Sequence, residues 1–71
     1  KPVQGEVRRI DAPAGKITLK HGPIPELDLP AMTLVYVVRD AAVLARVRPG
    51  DTVQFTADRV NGEYTVLTLT K

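Results

Sequence analysis

The sequence predicts an all-β fold: a small five-stranded antiparallel barrel of the OB type. Three observations carry this. Five short segments show period-two alternation rich in β-branched residues. Asn61-Gly62 lies between two of them and favours a two-residue type I′ hairpin. One stretch alone has helical character, and it falls between the third and fourth strands, where an OB barrel carries its connection.

The first strand runs from Val3 to Asp11. Val3 and Val7 share one face, and Gln4, Glu6 and Arg8 the other. Ile10 falls out of phase, which predicts a bulge or a strong bend, and Gly5 would ease it. Pro13 and Gly15 make a turn of Asp11–Gly15. The second strand, Lys16–His21, sets Ile17, Leu19 and His21 on one face and Thr18 and Lys20 on the other. Gly22–Pro30 holds Pro23, Pro25 and Pro30, which remove the amide donors that a ladder or a helix needs. It is expected to be an ordered loop with Ile24, Leu27 and Leu29 tucked against the barrel.

The third strand is Met32–Val38, with Met32, Leu34, Tyr36 and Val38 facing one way and Thr33, Val35 and Val37 the other. Two apolar faces predict a central strand covered on both sides. Asp40–Val47 is the helical stretch, one or two turns with Asp40 as N-cap and Pro49-Gly50 as the stop. The fourth strand, Thr52–Val60, alternates Val53, Phe55 and Ala57; the fifth, Glu63–Thr70, pairs with it antiparallel through the hairpin. An open five-stranded sheet would expose two edges, so closure is expected.

A chain of 71 residues allows one domain, here 1–71, with room for one small core. Hydrophobic residues at 44% and charged residues at 25% fit a folded globular chain. Cysteine and serine are both absent and histidine occurs once. No disulfide, thiolate metal site, or serine or cysteine hydrolase triad can be assembled. An enzyme is not expected. Net charge is +2, with acids and bases interspersed, which reads as a solvated surface. Only Tyr36, Phe55 and Tyr64 could stack on bases, so nucleic acid is not expected as a partner. No apolar run approaches the roughly 20 residues of a membrane span, so direct membrane insertion is not expected. A chain that opens on Lys1 rather than methionine is either a processed mature chain or a piece of a longer one.

His21 ends the second strand and Met32 begins the third, and a barrel can bring both to one end. Imidazole with thioether is a soft donor set that suits Cu(I) or Ag(I) and suits Mg or Ca poorly. Asp28 or Glu26 could add an oxygen, a hard and poor donor for Cu(I). Beside this stands the structural reading. A methionine at a strand start is usually core packing, and a histidine at a strand end is usually solvated or hydrogen-bonded.

The stretch Ile17-Thr-Leu-Lys-His-Gly-Pro-Ile-Pro-Glu-Leu-Asp-Leu-Pro-Ala-Met-Thr-Leu34 resembles the signature of CusF-type periplasmic copper- and silver-binding domains. That signature is a strand ending in histidine, a proline-containing loop, tryptophan-proline, one further residue, then Met-Thr-Met. The flanks agree in order and spacing: Gly-x-Val-x-x-Ile-Asp at Gly5–Asp11, Gly15-Lys16-Ile17, and Gly-Asp-x-Val-x-Phe at Gly50–Phe55. The resemblance implies that His21 and Met32 are the metal ligands. Leu29 stands at the tryptophan position and Leu34 at the second methionine, so a cation–π cap and a donor are missing. It further implies a periplasmic chain that binds Cu(I) or Ag(I) weakly and works with heavy-metal efflux adaptor or pump proteins. As an isolated domain the chain is expected to be a monomer. The competing readings are a metal-free interaction or structural domain of an efflux adaptor and an OB-type nucleic-acid binder.

Overall fold

Turn chemistry punctuates the chain where alternation stops. The computed structural model describes residues 2–71. It runs β1 (Val3–Asp11), β2 (Lys16–His21), a 3₁₀ turn (Pro25–Leu27), β3 (Met32–Val38), α1 (Ala41–Ala45), β4 (Thr52–Val60) and β5 (Glu63–Thr70). Asn61 and Gly62 both take positive φ, 54° and 81°, as a type I′ hairpin requires. Asp40 caps α1 by accepting the Ala42 N–H at 2.9 Å. The bulge falls between Val7 and Arg9: Val7 sits opposite Leu19 and Arg9 opposite Thr18, and Ile10 returns in phase opposite Ile17.

The strands close into a barrel in the order β1-β2-β3-β5-β4. One feature corrects the all-antiparallel expectation: β3 and β5 pair parallel, Val37 opposite Thr65 and Val38 opposite Val66. Parity demands it. Neighbouring strands around a ring can alternate in direction only when their number is even. With five strands, one seam must be parallel. The β1–β2 turn, the β2–β3 loop, the β4–β5 hairpin and the β1–β4 pairing make the other four seams antiparallel.

Val7, Ile17, Leu19, Tyr36, Val53 and Phe55 fill the barrel and are fully buried. Past the end of β3, α1 and the turn after it bury Leu44 and Val47. At the opposite end, the loop between β2 and β3 buries Ile24 and packs Leu27 and Leu29 against the core. Ile24 and Leu29 bond each other's backbones at 2.8 and 3.1 Å, so the proline-rich loop is ordered as expected. The outer face of β3 differs from expectation. Val35 is 52% exposed, so that side of the strand is not fully covered, although Val37 further along it is half-buried. A barrel this small has one interior and no second layer. The outward valines follow the strand preference of β-branched side chains, which does not require burial.

Gly5 faces inward opposite both His21 and Val53. A Cβ there would lie 2.8 Å from Cε1 of Phe55 and 3.3 Å from the Lys20 carbonyl. Gly22 has nothing within 4 Å of such a Cβ. Gly5→Ala is expected to cost about 1–3 kcal/mol through overpacking, whereas Gly22→Ala should stay within about 0.5 kcal/mol of wild type. Paired denaturation curves check both.

Candidate metal centre

β2 ends where β3 begins, and the register between them decides which side chains meet. His21 lies directly opposite Met32, and Leu19 directly opposite Leu34. Opposite residues of an antiparallel pair project from the same face with Cβ atoms roughly 4.5–5.5 Å apart. His21 and Met32 therefore sit side by side on the inner face at one mouth of the barrel, with Leu34 two residues deeper. Leu29 reaches the same end from the loop, half-buried against the core. All four residues singled out in the sequence come to this end. Glu26 and Asp28 do not form a hard-donor site with His21: among the described residues there is no cluster of three or more His, Cys, Asp or Glu able to hold an ion.

The two donors differ in access. Met32 is 36% exposed at the rim, while His21 is only 5% exposed. Both ring nitrogens of His21 are engaged. Nδ1 lies 2.7 Å from the Gly22 carbonyl oxygen, which can only accept, so Nδ1 carries the proton. In the neutral ring Nε2 is then the lone-pair nitrogen, and the Tyr36 hydroxyl donates to it at 2.7 Å. Tyr36 is fully buried. Its ring meets those of His21 and Phe55 edge-on, with centroids 5.7 and 5.5 Å away. Among the described residues no buried side-chain polar atom lacks a partner.

Sequence reading missed the part played by Tyr36. Its inward phase on β3 was legible, but reaching His21 requires the β2–β3 register and the tilt of the ring toward the mouth. The one available signal was the hydroxyl itself, a polar group on an inward position that must find a partner when buried. The space above Phe55 left by Gly5 was legible only as a site of bending.

As a donor set, this end offers one imidazole and one thioether within reach of each other. Both are soft-leaning, and leucine flanks them where further donors could stand. A family model described as the copper-binding periplasmic protein CusF matches residues 1–71. The chain belongs to the CusF family. Solved CusF structures share its fold. The crystal structure of Ag(I)CusF matches with a TM-score of 0.80 at 22% identity, covering 99% of this chain and 93% of that one. Apo-CusF from Escherichia coli gives 0.79 at 22%, covering 99% and 88%. CusF-Ag(I) from Escherichia coli gives 0.79 at 23%, covering 97% and 86%. No curated protein matches. The CusF family is thus one of periplasmic copper-binding barrels with silver-bound members. Among the described residues of this chain no helix is long and apolar enough to cross a membrane.

Burial pushes the Tyr36 phenol up to about 12, with a further contribution from Tyr64. The folded protein therefore prefers the neutral phenol. Its contribution to stability is complete below the ordinary value near 10 and is lost as pH rises toward 12. Denaturation midpoints should fall across pH 10–12, and Tyr36→Phe should flatten that fall. An equally steep fall in the variant would assign it to other groups.

Proposed function

We propose that this chain is a Cu(I)- or Ag(I)-binding module of a heavy-metal efflux system, carrying metal on His21 and Met32 and handing it to adaptor or pump proteins. The observation that supports this most is the register: the two soft donors of the chain are direct cross-strand neighbours at an accessible barrel mouth. Family membership and the silver-bound fold relatives agree with it. Two donors suffice for near-linear coordination of Cu(I) or Ag(I). Leu29 and Leu34 keep apolar bulk around the mouth but supply neither a lone pair nor a π face. The site is therefore a weakened one, suited to loose holding and easy transfer.

A second reading has an observation of its own. His21 has both nitrogens satisfied within the protein, as in a structural histidine, and Val35 and Leu67 are exposed apolar residues on the outer surface. These fit a metal-free interaction domain of an efflux adaptor. Nucleic-acid binding fits poorly, because Tyr36 and Phe55 lie wholly inside the barrel and leave only half-buried Tyr64 as a stacking platform.

Titration with Ag(I) in halide-free buffer, followed by NMR at the His21 ring and the Met32 methyl, separates the two. Both resonances should move together and saturate. His21→Ala or Met32→Leu should abolish the response. Leu34→Met should tighten binding, and adding Leu29→Trp should tighten it again by roughly twofold to thirtyfold, the range of a cation–π contact. Resonances that stay fixed at millimolar protein would give the domain to the metal-free reading.

A further inference from the structure

One ring nitrogen of His21 bonds a backbone carbonyl, as in metal-binding imidazoles, while a hydroxyl occupies the other. The Nδ1–H to Gly22 carbonyl bond fixes the tautomer and the ring orientation, as such bonds do behind metal-ligating histidines. That leaves Nε2 as the donor, and the Tyr36 hydroxyl occupies its lone pair. The hydroxyl comes from within the core, since Tyr36 is inaccessible to solvent and its ring is wedged edge-on between His21, Phe55 and Tyr64.

We propose that Tyr36 sets the affinity of the site by competing with the metal for Nε2 of His21. The proposal rests on the metal reading given above and adds a residue that is not itself a ligand. Metal entry at Nε2 must break a buried 2.7 Å hydrogen bond and deprive the Tyr36 hydroxyl of the partner it has in the metal-free protein. Metal release restores that bond. The hydroxyl thus favours the metal-free state and eases transfer to a partner. A phenylalanine at this position would fill the same space and leave the Nε2 lone pair without a partner in the empty protein.

Competition of this kind predicts that Tyr36→Phe binds Ag(I) about two- to tenfold more tightly than wild type, the range of one hydrogen bond. The ring nitrogens supply the independent readout. In metal-free wild type, two-bond ¹H–¹⁵N spectra should show Nδ1 protonated and Nε2 as a hydrogen-bonded acceptor. In Tyr36→Phe the Nε2 signal should move toward that of a free lone-pair nitrogen. In wild type, Ag(I) should displace the Nε2 signal and leave Nδ1 on its carbonyl, a measurement that stands even if the variant folds poorly. Equal or weaker Ag(I) affinity in a folded Tyr36→Phe, or Ag(I) displacing Nδ1 instead, overturns the competition while leaving the metal site intact. If neither protein binds Ag(I), the metal reading fails and the competition with it.

Discussion

Six cross-strand pairs between β2 and β3, from Lys16 opposite Val37 to His21 opposite Met32, determine what the barrel mouth contains. The side-chain period of a strand is two, so a slip of one residue would send Ile17, Leu19 and His21 outward and leave the core empty on that side. Burial of Ile17 and Leu19 therefore fixes the register, and the register places imidazole beside thioether. The core and the candidate site are consequences of one alignment. The connecting loop cooperates. Its prolines limit the backbone, the Ile24–Leu29 pairing closes it, and left-handed Asp28 turns it back toward β3.

The polar content of the core follows from the same geometry. A barrel of this size cannot enclose an unpaired imidazole and phenol without heavy cost. Here each satisfies the other, and the Gly22 carbonyl accepts from the Nδ1–H of His21. Gly5 belongs to this arrangement because its missing Cβ lets the Phe55 ring lie beneath the histidine. On the proposed competition, an ion at Nε2 would exchange against this hydrogen bond rather than fill a vacancy.

The strands, the hairpin and the helix cap were legible in the sequence because each rests on local chemistry: alternation, Asn61-Gly62 and Asp40. The family was legible from motif order, and His21 and Met32 stood out as soft donors. What escaped depends on closure. The parallel β3–β5 seam follows from the parity of a five-membered ring, a property of the whole ring and of no segment. Exposed Val35 shows that an apolar outer face can persist without a covering layer. The His21–Tyr36 bond joins residues fifteen positions apart through register and ring tilt, neither of which the alternation of a single strand specifies.

Copper K-edge X-ray absorption of the Cu(I)-loaded wild-type protein tests the central claim most directly. Coordination by His21 and Met32 predicts one imidazole nitrogen and one sulfur around copper, with the sulfur lost in Met32→Leu. A spectrum with nitrogen and oxygen scatterers alone, or a protein that retains no Cu(I), would contradict it.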